Sequence, residues 1–224
     1  MIRICDLEKT FLVGEQKLKV ADGINLTIED GEFVSIVGRS GSGKSTLLNM
    51  IGGLLSPDSG HIYVEDRDIC AMSEQELANY RGKCTAYIFQ AFHLEPMYTV
   101  ADNIRVGLLP LKLSKTECNR EISEALKQVG LSDKEKVRVH KLSGGEKQRV
   151  AIARALAKNA SVILADEPCG NLDSGNSRII MDLLKKANSM GKTVLLVTHN
   201  EGDAAMTDRR IRICDGKVIA DERT

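Results

Sequence analysis

The segment Gly38-Arg39-Ser40-Gly41-Ser42-Gly43-Lys44-Ser45 constrains this chain more than any other stretch. It fits the pattern G-x-x-x-x-G-K-[ST], follows the run Phe33-Val34-Ser35-Ile36-Val37 and precedes residues that read as a helix. A run that is almost wholly apolar predicts a strand buried on both faces, inside a parallel sheet with a helix after its carboxyl end. There the glycines let backbone N–H groups turn inward around an anion, and the helix N-terminus adds its positive dipole end. Lys44 is placed to reach the β- and γ-phosphates of a nucleoside triphosphate, and Ser45 to ligate Mg2+. A merely Gly-rich turn is the rival reading, and it leaves the strand before and the helix after unexplained.

Val162-Ile163-Leu164-Ala165 and Thr193-Val194-Leu195-Leu196-Val197-Thr198 share the character of Phe33–Val37. With helices between them, the three runs predict a parallel sheet of the α/β class. Earlier residues read as short strands over Ile2–Leu7, Phe11–Val13, Lys17–Val20 and Leu26–Ile28, with turns at Gly14 and Gly31, an antiparallel edge layer. Residues 91–142 lack an apolar strand and read as helices over Val100–Leu109 and Ser114–Val129. They are expected to form an inserted helical subdomain, packed against the core of a single domain covering residues 1–224. Ser73…Glu76 and Ser114…Glu117 each fit a capping box and are assigned to structure alone.

A chain of 224 residues suits one large domain, and its 42% hydrophobic and 28% charged residues are ordinary for a globular protein. The 31 basic residues balance 31 acidic ones, so no overall field exists to hold nucleic acid, which is not expected as a partner. Cys5, Cys70, Cys84, Cys118, Cys169 and Cys214 are scattered without zinc spacing, as expected of reduced thiols in a cytoplasm. Charge at Arg3 and Asp6 interrupts the N-terminus too early for a signal peptide. No apolar run approaches the roughly 20 residues needed to cross a bilayer, so any membrane contact is expected to come through a partner.

Two further groups carry chemistry. The run Val162–Ala165 ends in Asp166 and Glu167. Asp166 suits a Mg2+ site, and Glu167, pointing elsewhere, suits a proton acceptor for an attacking water. Alone, two acids closing a strand are as consistent with ordinary surface residues; beside a phosphate loop the functional reading prevails. Ser143-Gly144-Gly145-Glu146 is itself a capping box opening a helix through Arg149, Ile152 and Leu156. Two consecutive glycines at a helix start cost backbone entropy, so a second close approach to a phosphate is expected as well as capping.

Together these motifs resemble the ABC ATPases, a family with a P-loop NTPase core. Leu142–Glu146 resembles the ABC signature, and Gln90 and His199 fall where that family has its Q-loop and switch histidine. The resemblance covers essentially the whole chain. It implies ATP and Mg2+ as cofactors, hydrolysis of ATP, and a homodimer in which the signature of one chain closes over ATP held by the phosphate loop of the other. By that resemblance, nucleotide is contacted by Gly38, Arg39, Ser40, Gly41, Ser42, Gly43, Lys44, Ser45, Thr46, Ser143, Gly144, Gly145 and Glu146. Phe11 resembles the residue that stacks on adenine; a core phenylalanine is the equal alternative. Gln90 resembles the residue joining Mg2+ and the attacking water to the helical subdomain, with a strand-end amide as the rival. His199 resembles the histidine contacting the γ-phosphate, and Asp173, in Pro168-Cys169-Gly170-Asn171-Leu172-Asp173, the acid coupling the two sites. Taken alone, each of the two is more simply a structural histidine and a solvated loop acid. The resemblance thus makes Glu167, His199, Gln90 and Lys44 catalytic and Ser45, Gln90 and Asp166 metal-binding. Two departures stand out: Glu146 replaces a common Gln, and Cys169 a common Thr.

Within the family, the Gly170–Asp173 form and the segment Leu47–Leu54 resemble subunits of lipoprotein-release, macrolide-export and antimicrobial-peptide-resistance systems. That implies a cytoplasmic subunit, peripheral on the inner face of the cell membrane, docked on integral membrane permease subunits near Gln90, Phe92, His93, Leu94 and Pro96. Packing of the inserted subdomain is the rival explanation for those apolar residues. A cell-division ATPase of the same branch, signalling through a membrane partner without transport, is the alternative function. DNA-repair and translation ATPases of the family are disfavoured by the lack of a long coiled coil, a second cassette or a basic surplus.

Overall fold

A computed structural model describes residues 1–14 and 16–223. β1 (Ile2–Val13) and β2 (Gln16–Ile28) form one long antiparallel hairpin rather than four short strands. Shifts of register between Ile4 and Leu7 and between Lys9 and Thr10 break the alternation without ending the pairing, which is why the sequence reads as fragments. β3 (Phe33–Val37) leads into α1 (Lys44–Ile51), and β4 (Ser59–Val64) then returns to pair with β1. With the short β5 (Arg67–Asp68), the first sheet has the order β2-β1-β4-β5.

After α2 (Glu74–Lys83), whose capping box at Ser73 and Glu76 is closed, the chain enters β6 (Thr85–Phe89). α3 (Val100–Leu108), α4 (Lys115–Gln128) and α5 (Gly144–Ala157) follow as a helical layer, and β7 (Val162–Asp166) rejoins the sheet. α6 (Ser174–Ser189), β8 (Thr193–Val197), the short α7 (Glu201–Ala204), β9 (Arg209–Cys214) and β10 (Lys217–Arg223) complete the chain. The second sheet has the order β10-β9-β3-β8-β7-β6, parallel except for the antiparallel edge strand β10.

Side chains alternate across the central strands, so each supplies two cores. Val34, Ile36, Leu195, Val197, Val162 and Leu164 pack with α1 and the first sheet. Phe33, Val194, Leu196, Ile163 and Ala165 pack on the other face with residues of α3 to α6. This explains the unbroken apolar runs of β3, β7 and β8, since neither face meets water. Two tyrosines anchor α1 from behind: the Tyr80 hydroxyl donates to Ile51 O and the Tyr87 hydroxyl to Leu48 O, both at 2.7 Å. The first satisfies a carbonyl of the kind a helix C-terminus leaves unpaired, and the second adds to Leu48 O, which also accepts from the Gly52 N–H at 2.9 Å.

Candidate active site

β3 delivers the chain into the loop at Gly38, and α1 begins at Lys44. Gly43 caps α1 with φ 100°, and a Cβ there would lie 2.0 Å from the Val20 carbonyl oxygen. A left-handed backbone pressed against another strand admits only glycine. No side chain caps α1 and no acid occupies its first turn, so its leading amides are free for an anion. Lys44 is buried, with its ammonium donating to the carbonyls of Gly38 at 3.0 Å and Arg39 at 2.9 Å. A cation is therefore stationed inside the loop. Ser42 is also buried, and its Oγ has no partner among the described residues, an orphan that a phosphate oxygen would satisfy.

β7 brings two acids to the same place. Ser45 Oγ donates to Asp166 Oδ1 at 2.8 Å. Burial raises the Asp166 carboxyl above its ordinary range; the Ser45 hydroxyl opposes that shift, and the neighbouring Glu167 charge adds to it. A hydroxyl and a carboxylate in contact, open to substrate phosphates, are hard oxygen donors of the kind that hold Mg2+. The residues therefore fit Mg2+.

Glu167 leaves β7 in the left-handed region, at φ 48°, with its N–H bonded to Val197 O at 2.9 Å. Such a conformation is uncommon for a glutamate and costs of order 1–2 kcal/mol. Its carboxylate meets His199 Nδ1 at 2.7 Å. An ionised carboxylate only accepts, so the shared proton sits on Nδ1.

Lys44, Ser45, Glu167 and His199 line one cleft of about 700 Å³, together with Gln90, and Asp166 reaches it through its contact with Ser45. Phe11 forms its upper wall at 38% exposure, not a core position, facing Leu18 across the hairpin with the Lys9 ammonium 5.7 Å from its ring centre. Leu18 and Val20 extend the apolar wall. Neither was singled out in the sequence, although they alternate along β2 on the face that Phe11 shares. The remaining members, Gly38, Arg39, Ser40, Gly41, Gly43, Lys44, Ser45 and Thr46, curve beneath them.

The second glycine pair lies elsewhere. Ser143 N–H donates to Glu146 at 2.9 Å and Glu146 N–H to Ser143 Oγ at 3.3 Å, so the expected capping box is closed. That amide holds the Glu146 carboxyl below its usual range, with Lys134 3.7 Å away also favouring the charge. A Cβ on Gly145 would lie 2.1 Å from Asn176 Oδ1. Gly145 is thus buried closely against α6, while Gly144 is exposed. Asp173 caps α6 through Asn176 N at 2.9 Å and lies outside the cleft, as Ser143 to Glu146 do. Gln90 joins the two regions, because its amide reaches Asn171 Oδ1 at 3.4 Å while Asn171 donates back to Gln90 O at 3.3 Å. Cys169 is buried, with its thiol pushed up to about 12 by burial first, which is packing rather than reactivity. No helix among the described residues is long and apolar enough to cross a membrane.

A phosphate loop, a strand-end acid pair and a helical layer on a mostly parallel sheet define an ATP-binding cassette. The chain belongs to the ABC transporter family, whose model matches residues 21–170. It is 41% identical to an uncharacterized ABC transporter ATP-binding protein, YvrO, of Bacillus subtilis, over 100% of this chain and 97% of that one. Identity is 43% to the lipoprotein-releasing system ATP-binding protein LolD of Leptospira interrogans, over 98% and 91%. The macrolide export ATP-binding/permease protein MacB of Chlorobaculum tepidum is 42% identical, but the chain spans only 34% of its length. Among solved structures, the ATP-binding cassette MJ0796, dimeric and bound to ADP and Pi, matches with a TM-score of 0.90 at 40% identity, over 100% of this chain and 98% of that one. The chain is an ABC-type ATPase cassette.

Proposed function

We propose that two copies of this chain form a homodimeric motor that binds ATP at two composite sites and drives a separate membrane permease. The observation that carries this reading is the contact with Asp166, at 2.8 Å, of the Ser45 that lines the cleft beside Lys44 and Glu167. Gly38 to Thr46 wrap the phosphates, Lys44 shifting from its two carbonyls to the β- and γ-oxygens, and Phe11 with Leu18 and Val20 receives the base. Ser45 and Asp166 hold Mg2+, which when bound supplies positive charge against the triphosphate. Glu167 accepts a proton from the attacking water, oriented by Gln90, while His199 holds the Glu167 carboxylate from the other side. The partner's signature, Ser143 and Gly144 foremost, covers the γ-phosphate, and Asp173 lies where the two copies meet. Dimers among the structural relatives support this arrangement.

The permease docks beside the loop after Gln90. Phe92 and Leu94 are half-buried, Leu94 against the core, and a little further along the chain Met97 is exposed while Tyr98, Val106 and Leu109 share an exposed apolar surface. Residues 91–142 act as the helical subdomain carrying that surface, and the chain works on the cytoplasmic face of the membrane. The cargo class is a lipoprotein, antimicrobial peptide or macrolide-like molecule, supported by the relatives named LolD and MacB. Phosphate release by the purified chain, lost on Lys44→Ala, tests the motor. Co-purification tests the partner: a permease with a large periplasmic domain supports export, and a division-type membrane protein supports the signalling alternative.

A further inference from the structure

The loop that follows Gln90 is held in an unusual way. Phe92 and His93 are consecutive non-glycine residues with positive φ, 59° and 47°. Bulky L-residues adopt that region at a cost, so something must hold them there. The holding groups come from α5. Arg154 donates through Nη1 to His93 O at 2.6 Å and through Nη2 to Phe92 O at 3.0 Å. Nearly two turns earlier on the same helix, buried Gln148 donates through Nε2 to Phe89 O at 3.3 Å. The helix therefore grips the backbone on both sides of Gln90. At the loop's base, Phe89 stacks on Tyr87 with ring centres 4.8 Å apart, and His93 meets Phe89 edge-on at 4.7 Å.

Neither donor is explained by its own stability. Burial alone acts on the Arg154 guanidinium, lowering its hold on its proton, with no carboxylate compensating. Gln148 leaves its buried Oε1 without a partner among the described residues. α3 makes room for the arginine: a Cβ on Gly107 would lie 2.8 Å from Arg154 Cγ. A half-buried cation spent wholly on two loop carbonyls, beside an amide half satisfied, is costly as packing and purposeful as a backbone clamp.

We propose that Arg154 and Gln148 are positioning residues that fix Gln90 relative to the signature, by holding the carbonyls of Phe89, Phe92 and His93 to the helix that begins at Gly144. α5 and the loop then move as one body, and displacement of residues 92–96 reaches Ser143 and Gln90 together. This inference rests on the reading of Gln90 as part of the hydrolytic site.

The test is Arg154→Lys, which keeps the charge and loses the planar fork that reaches two carbonyls at once. The purified chain is assayed for kcat and KM for ATP, for thermal midpoint, and by hydrogen exchange of amides 91–96. Expected is a fall in kcat of about tenfold or more, the scale of a small misplacement, with KM and the midpoint nearly unchanged and exchange at 91–96 faster. Unchanged kcat, or a lower kcat with wild-type exchange in that loop, overturns the proposal. Should Arg154→Lys fail to fold, Gln148→Leu removes the Phe89 anchor and the unpartnered oxygen together. It should show the same split with a smaller fall, and an unchanged kcat there overturns the clamp. Gln90→Ala separates the two levels: wild-type turnover in it removes the underlying reading of Gln90, whereas slow Gln90→Ala with normal Arg154→Lys removes the clamp alone.

Discussion

Replacing Glu167 by glutamine should stop hydrolysis while leaving ATP binding intact. The backbone seat is fixed by the Glu167 N–H bond to Val197 O and does not depend on the side-chain charge. The amide oxygen of glutamine can accept the proton that His199 Nδ1 now shares at 2.7 Å, so His199 keeps its place. What disappears is the basic oxygen. Loss of a general base slows turnover by about 10²–10⁴, or about 3–5 kcal/mol at the barrier. The same change removes a negative charge that raises Asp166 by repulsion, so affinity for a polyanion should hold or improve. Phosphate release gives the rate, equilibrium binding the affinity, and light scattering with ATP the dimer that should accumulate. Full turnover in Glu167→Gln would refute the assignment, and loss of nucleotide binding would refute the claim that only the proton acceptor was removed.

His199→Ala should slow single-turnover cleavage while ATP still binds, because the Glu167 carboxylate loses the group that orients it; cleavage at the wild-type rate would return His199 to a structural role. Phe11→Ala should weaken ATP and GTP alike by about 1–3 kcal/mol, read by titration, since stacking is indifferent to the base. Asp221 lies in an ion pair with Arg209 at 2.7 Å that ties β10 to β9, and Arg209 holds its carboxyl below the usual range. A depressed carboxylate stabilises the fold above its unfolded pKa and loses that contribution as pH falls through its folded one. Discounted for solvent screening at 38% exposure, Asp221→Asn should cost about 1 kcal/mol, or about 2–4 °C in thermal midpoint, at neutral pH. The difference from wild type should begin to shrink as pH falls below the ordinary aspartate range near about 4 and be gone only once pH is below the depressed folded pKa; a gap that does not shrink through that acid range counts against the pair.

The central sheet was legible because β3, β7 and β8 are apolar on both faces, a pattern few other structures need. β6 was missed since Thr85 and Tyr87 interrupt its apolar run, and β9 because Arg209, Arg210 and Arg212 disguise the inward Ile211 and Ile213. Capping boxes at Ser73, Ser114 and Ser143 read correctly, each being a local hydrogen-bond pair fixed by spacing. The same locality made Gly38–Ser45 and Asp166–Glu167 visible. Arg154 and Gln148 were invisible as partners of the loop because they touch backbone carbonyls, which carry no side-chain signal. The packing of Gly145 on Asn176 was not legible, because it joins residues 31 apart in sequence through one side chain.

The segment that opens α5 stands outside the cleft of its own chain. If it completes a partner's site, no isolated copy holds a whole reaction centre. Catalysis then acquires a kinetic order: in dilute solution the rate should climb with the square of protein concentration and become linear once pairing saturates. A permease that presents two copies side by side removes that dependence, so assembly on the membrane would itself act as the throttle on fuel consumption.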